Sequence, residues 1–340
     1  MIQQALRTLV NERRDLTEEQ AAAAMRQVMA GEATPAQIAA LVVALRLKGE
    51  TAAEVAGMAR VMREHALRVP VHGPVVDTCG TGGDGRGTFN ISTAAAFVVA
   101  AAGVRVAKHG NRAISSSCGS ADVLEALGAR IDLPPEAVAE CVQRVGVGFM
   151  FAPVFHPAMR HAAGPRRELG VRTIFNVLGP LTNPAGAEIQ VLGVAEERLG
   201  PLMADALLRL GSRRALVVHG EDGTDEITTT GNTLAWEVSD GGVRAYRIAP
   251  EDVGLSRCRP EDLRGGDAAQ NAATLRALLR GENGPLADVV ALNAGATLYV
   301  SGCARELREG VASARRTMAS GEAERVLDRF VEETNRFARD

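Results

Sequence analysis

Residues 75 to 120, VVDTCGTGGDGRGTFNISTAAAFVVAAAGVRVAKHGNRAISSSCGS, concentrate groups able to hold a polyanion. Gly80, Gly82, Gly83, Gly85 and Gly87 fall within eight residues. Without Cβ atoms, such a backbone can turn its N–H groups onto a ligand at close range. Asn90, Ile91, Ser92 and Thr93 then lead into an alanine-rich helical run. The start of that helix adds free donors and positive dipole. Lys108 and Arg112 bring full positive charge, and Ser92, Thr93 and Ser115 to Ser117 bring hydroxyls. The set suits a pyrophosphate or several phosphates. A plain turn between core elements would need neither five glycines nor the two polar loops that follow.

Two common phosphate motifs fit less well. Gly80-Thr-Gly82-Gly-Asp-Gly85 does match G-x-G-x-x-G. In a dinucleotide fold, however, the helix starts within the glycines and an acid about 20 residues on holds the ribose. Here helical character begins near Asn90, and the next strand ends in Lys108. A Walker loop needs a lysine directly after its last glycine, and none is present.

Farther along, Asp225 and Glu226 form an adjacent acidic pair after a strand ending at His219. Next to a polyphosphate, carboxylate oxygens suit Mg²⁺; standing alone, the same loop is a plain acidic turn. Arg160, Arg166, Arg167 and Arg172 crowd one short segment, which read alone is equally a solvated basic face. His156 and His161 are five apart and lie on different helix faces, against a zinc pair. No Ser-His-Asp or Cys-His constellation emerges, and His109 reads as a packing or loop-ordering residue.

These groups need elements to position them. Residues 1 to about 70 read as four short helices. Three capping boxes mark helix starts: Thr17 with Gln20, Thr34 with Gln37, and Thr51 with Glu54. Apolar residues recur behind them at helical spacing, giving a small bundle with a thin core. From about 72 strands alternate with helices, which indicates βαβ units and a mostly parallel sheet. Loops after Cys79, Ala107, Phe151 and His219 then share the carboxyl edge, where such sheets bind ligands. The tail from Ala304 reads as a helical cover for the sheet. The expected fold is α/β: a small all-helical domain beside a larger domain with a mostly parallel sheet flanked by helices.

Composition bounds the partners. The 340 residues are 46% hydrophobic and 23% charged, an ordinary globular balance long enough for two domains. A net charge of -3 and 3% aromatic residues argue against a nucleic-acid coat. Five cysteines without C-x-x-C spacing suggest neither a disulfide framework nor a zinc site, and fit a reducing cytoplasm. No secretory signal or membrane span is expected, since the run from Ile91 to Val106 is short and interrupted by Gly103 and Arg105.

Taken together, GTGGD at 80 to 84, NIST at 90 to 93, KHGNR at 108 to 112, RRELGVRTIFNVLGPLTNP at 166 to 184 and the acids at 225 and 226 resemble the anthranilate phosphoribosyltransferase family over nearly the whole chain. Pyrimidine nucleoside phosphorylases share the layout with different loops. The resemblance implies a helical domain of residues 1–70 to which about 160–186 returns, an α/β domain of 71–159 and 187–340, and a homodimer through the helical part. It implies phosphoribosyl pyrophosphate (PRPP) binding by Gly80, Gly83, Asp84, Thr88, Asn90, Ile91, Ser92, Thr93, by Lys108, His109, Gly110, Asn111, Arg112, Ala113, Ile114, Ser115 and Ser116, and by Ser120. Ala113 and Ile114 stand where the family varies. Gly80, Asn111 and Arg166 are implied for anthranilate, Ser92, Asp225 and Glu226 for Mg²⁺. Lys108 and Asp84 are expected to act electrostatically, and no residue as acid or base. Rival acceptors and a non-catalytic nucleic-acid-binding relative remain alternatives.

Overall fold

The computed structural model describes residues 1–113, 117–239 and 241–337. Its first part is four helices, α1 (Ile2–Val10), α2 (Glu18–Met29), α3 (Pro35–Lys48) and α4 (Ala52–His65). All three expected capping boxes form. Glu54 does more than cap: it is fully buried, accepts from Leu16 N–H at 2.9 Å and pairs with Lys48 at 3.1 Å. That box therefore ties α4 to the α1–α2 connection.

The chain continues through β1 (Val76–Gly80), α5 (Ile91–Ala101), β2 (Val106–Gly110), α6 (Ser120–Ala126), α7 (Pro135–Val145) and β3 (Val147–Phe151). Short α8 (Ala152–Phe155), α9 (Arg160–Leu169) and α10 (Phe175–Leu178) leave the sheet, and α9 packs on α3 and α2. The chain returns as β4 (Ile189–Gly193), α11 (Leu199–Arg209), β5 (Arg214–Gly220), β6 (Thr233–Ser239) and β7 (Gly242–Ile248). It ends in α12 (Ala268–Leu279), α13 (Pro285–Val300), α14 (Leu307–Ala319) and α15 (Glu322–Arg336).

The seven strands lie in the order β3-β2-β1-β4-β5-β6-β7. From β3 to β5 all pairs are parallel, while β6 and β7 are antiparallel additions. The chain first builds outward from β1 to β3, then returns to the other side of β1 as β4. The crevice at that reversal is where doubly wound sheets take ligands. Both strands end there in glycine, with Gly80 opposite Gly193. A Cβ on either would collide with Asp225, so the pair of glycines is what admits the acidic loop between the strand ends.

Three features depart from the sequence expectation. The hairpin of β6 and β7 was not anticipated, although alternating runs around Asp240-Gly241-Gly242 carry its signal. The tail covers the sheet only at its β3 edge, which α15 touches: α14 packs on α13, and α15 packs chiefly on α5 and α7, forming an outer layer. The bundle core is not thin. Met25, Ile38, Leu41 and Val55 join Leu199, Met203 and Leu207 of α11 and Leu192 and Val217 of the sheet in one apolar cluster. Burying that shared surface offsets the chain entropy that four short helices alone could not.

Candidate active site between sheet and bundle

The glycine loop and the acidic loop meet at the strand reversal. Gly82 N–H donates to Asp225 Oδ2 at 2.8 Å, and Ser92 N–H, in the first turn of α5, donates to Glu226 Oε1 at 3.2 Å. Burial, with the nearby charge of Asp84, pushes Asp225 up to about 6. Burial and Asp225 push Glu226 up to about 8. Asp84 Oδ2 is itself buried with no partner among the described residues. Crowded, underneutralised carboxylate oxygens are the donor chemistry of a hard divalent cation. Among the described residues no three His, Cys, Asp or Glu side chains could hold a metal by themselves. A cation here would complete its shell with ligand or water oxygens, as Mg²⁺ characteristically does.

Supports for the acidic loop come from far away in sequence. Asp222 accepts from the hydroxyls of Thr224, Thr228 and Thr230 at 2.7, 2.6 and 2.5 Å, fixing the turn. Asn293 of α13 grips Ile227 from both sides, accepting its N–H at 3.1 Å and donating to its carbonyl at 2.8 Å. Glu226 is thereby held by its neighbour's backbone. Sequence reasoning missed Asn293, whose signal was a lone amide in the apolar run VVALNAGATL.

Lys108 is buried under the same cavity, donating to the Thr78 carbonyl and to Ser92 Oγ at 3.2 Å. Below it, Asp77 accepts from His109 N–H at 3.2 Å and from Asn183 Nδ2 at 2.7 Å. Burial pushes Asp77 up to about 6, against the pull of Lys108. Neither Asp77 nor Asn183 was anticipated; both look like ordinary strand and loop residues until the fold joins them.

Two cavities open side by side. One, of about 380 Å³, is lined by the glycine loop, Lys108, Ser92, Asp225 and Glu226. The other, of about 440 Å³, lies toward the bundle and is lined by His109, His156, Arg160, Arg166, Phe175 and Pro180 among others. Gly80 and Asn111 border both. In the second, the Arg166 guanidinium stands 5.3 Å over the Phe175 ring. The imidazoles of His109 and His156 are 5.0 Å apart. Burial lowers His109 to about 3, with His156 adding to the effect, and burial lowers His156 to about 4. Both are neutral near pH 7. Each ring lies near one backbone carbonyl, of Gly179 and Thr182 respectively, and each Nε2 is buried without a partner among the described residues.

Of the residues expected from sequence, Gly80, Gly83, Asp84, Thr88, Asn90, Ser92, Thr93, Lys108, His109, Gly110, Asn111, Arg112, Ala113 and Ser120 all border the first cavity. Ile91 does not; its side chain is packed in the core. Asn90 is committed, donating to the Cys118 carbonyl at 3.1 Å and accepting from Asn271 at 2.9 Å. Arg112 is held by Asp122 at 3.1 Å and by Glu125. Ile114, Ser115 and Ser116 lie outside the described residues. Arg172, not anticipated as a site residue, also borders this cavity.

An anion-holding loop facing a carboxylate pair at a sheet reversal, with a second chamber against a helical bundle, is the layout of a group transferase with a polyanionic donor. Two family models match in that same order. The "Glycosyl transferase family, helical bundle domain" covers residues 3–66, and the "Glycosyl transferase family, a/b domain" covers 72–324. The anthranilate phosphoribosyltransferase of Symbiobacterium thermophilum is 57% identical over 334 residues, 98% of each chain. That of Chloroflexus aggregans is 59% identical over 321 residues, 94% of each. Among solved structures, the Thermus thermophilus anthranilate phosphoribosyltransferase superposes with a TM-score of 0.93 at 54% identity, covering 97% of this chain and 99% of that one. The Saccharomyces cerevisiae enzyme in complex with PRPP and Mg gives 0.90 at 27% identity, covering 98% of both. The chain belongs to the anthranilate phosphoribosyltransferases of the glycosyl transferase family.

Proposed function

We propose that this chain transfers the 5-phosphoribosyl group of PRPP to the amine of anthranilate, releasing pyrophosphate, as in the second step of tryptophan synthesis from chorismate. The observation that carries the reading is the contact of Asp225 with Gly82 N–H, which sets the acidic pair against the anion loop beside a chamber bearing Arg166. Ser92, Asp225 and Glu226 would hold Mg²⁺, which when bound offsets diphosphate charge. Glycine-loop N–H groups and the start of α5 hold the leaving diphosphate as it gathers charge at the breaking C1–O bond, and Lys108, bonded to the Thr78 carbonyl and Ser92 Oγ, adds its charge from beneath. Removing one such donor typically costs about 3 kcal/mol in the barrier.

In the second chamber, Arg166 holds the anthranilate carboxylate as a two-pronged donor. The amine needs no strong base, since an aryl amine is already neutral at pH 7. Neutral His109 and His156 are consistent with that economy. Placing both substrates across C1 supplies much of the remaining rate.

The same reading divides the chain into a moving helical unit, residues 1–70 with about 160–186, and an α/β unit of 71–159 and 187–340. Packing of α9 on α3 supports the return of the middle segment to the bundle. The reading also gives a homodimer through the bundle, where Met1, Val10 and Leu47 are exposed apolar side chains. Among the described residues no helix is long and apolar enough to cross a membrane, and free cysteines suit the reducing cytoplasm we assign.

The test is a fluorescence assay. Protein, magnesium, PRPP and anthranilate are mixed, and anthranilate emission is expected to decay. Excess chelator is expected to stop the decay. Steady emission in the complete mixture would sink the assignment, and chelator-resistant turnover would remove the metal from it.

A further inference from the structure

Arg172 sits where the anion loop is met from the bundle side. α9 packs on α3 and α2, stops at Gly170 with φ of +61°, and turns the next residues back toward the sheet. Arg172 then reaches across the crevice and donates from Nη1 to the Gly82 carbonyl at 2.8 Å. Its guanidinium lies so close over Gly83 that a Cβ there would collide with Nη1. The other end, Nη2, is buried and has no hydrogen-bond partner among the described residues. Arg172 belongs to the lining of the cavity that holds Asp84, Ser92, Asp225 and Glu226.

The other two cations of that lining are already engaged. Lys108 is buried and bonded to the Thr78 carbonyl and Ser92 Oγ. Arg112 is turned to Asp122 and Glu125 on α6. A desolvated guanidinium N–H left without an acceptor is costly, and such a group is kept where a ligand supplies the acceptor. The planar fork suits two acceptors side by side, one a loop carbonyl and the other an anionic oxygen.

We propose that Arg172 is a further binding residue for the diphosphate: Nη1 fixes the anion loop, and Nη2 donates to a diphosphate oxygen. This deepens the reading given above and rests on it. Because the arginine is carried by the bundle-packed segment and its target by the sheet, donor-substrate binding then pulls the two together across the crevice.

The experiment compares native enzyme with R172Q and R172K. Steady-state kinetics are measured for both substrates, and calorimetry follows inorganic pyrophosphate with magnesium. A charge-assisted hydrogen bond is worth about ten- to a hundredfold in affinity. R172Q is expected to weaken PRPP and pyrophosphate by that factor, and to leave the KM for anthranilate within about twofold. R172K keeps the charge without the fork, and is expected to show a smaller but measurable loss for pyrophosphate. It carries the test if R172Q fails to fold. Pyrophosphate affinity unchanged in either folded variant overturns the proposal, as does an equal rise in both KM values in R172Q. Should native enzyme show no turnover, the reaction assignment fails by itself, and pyrophosphate calorimetry still decides whether Arg172 binds the anion.

Discussion

At the scale of single residues, the site depends on groups that settle the acidic pair rather than on the pair alone. Asp225 and Glu226 are legible in sequence because two adjacent acids follow a strand. Asn293 stands out locally only as a lone amide in an apolar run, and nothing there tells that it will meet Ile227 across 66 residues of chain. Its two hydrogen bonds to Ile227 predict a positioning role. N293A is expected to cost about 1–3 kcal/mol of stability, from the buried Ile227 groups left unpaired. It is also expected to raise the magnesium concentration at half-maximal rate. A magnesium titration at fixed PRPP checks this; an unchanged midpoint in a folded variant would confine Asn293 to the core. A second residue-scale prediction concerns His109 and His156. Their folded pKa values, about 3 and about 4, lie below the free value of about 6.5, so the fold favours the neutral rings. Their contribution is full above about 6.5 and is lost as pH falls toward 4, because the unfolded chain takes up protons that the folded chain refuses. Asp225 and Glu226, with raised values, pull the other way over the same range. The measurement is therefore a difference: urea midpoints at pH 7.5 and 5 for the native chain and for H109Q/H156Q. The native chain is expected to lose more on acidification than the variant.

At the scale of elements, the capping boxes and the strand–helix alternation were readable because each signal is local. The β6–β7 hairpin was equally local but lay outside the stretches that carry chemistry. What local pattern does not encode is which surfaces come close, and glycines inside helices set that here. α13 and α14 cross with Gly295 against Gly310: a Cβ on Gly310 would collide with the Gly295 carbonyl, and one on Gly295 would stand 2.5 Å from Val311 N. G295A is expected to destabilise by about 1–3 kcal/mol through overpacking. Gly164, inside α9, has nothing but its chain neighbours within 4 Å of its missing Cβ. Because Pro165 follows it, a Cβ there meets the proline ring, which offsets the roughly 0.5–1 kcal/mol that alanine gains over glycine in a helix, and G164A is expected to be near neutral. Chemical denaturation of both variants checks the pair. Equal effects would mean that helix propensity, not close approach, governs both positions.

At the scale of the whole molecule, the sequence separates a bundle from a sheet domain, but periodicity alone does not say which stripe meets which face. The two parts share one apolar cluster, with α4 packed on α11. The ion pairs bridging them are long, and two lie near the surface, Arg46–Glu196 at 3.8 Å and Arg209–Glu18 at 3.6 Å, while in Arg198–Glu50 at 3.9 Å the carboxylate is buried. Exposed pairs of this kind contribute about 0–1 kcal/mol each and yield readily. A continuous core resists a wide hinge, because opening it would expose apolar surface, whereas packed helices tolerate small sliding. Substrate binding is therefore expected to close the crevice by shear. The segment bearing Arg166 and Arg172 would move toward the loops bearing Gly82 and Asp225, while α4 keeps its seat on α11. Solution scattering with magnesium and pyrophosphate, alone and together with anthranilate, is expected to show a small contraction. Hydrogen exchange is expected to slow in residues 80–88 and 170–176 and to stay unchanged in α4 and α11. Identical scattering and exchange with and without ligand would count against closure. Faster exchange along α4 on binding would instead point to a hinge that parts the shared core.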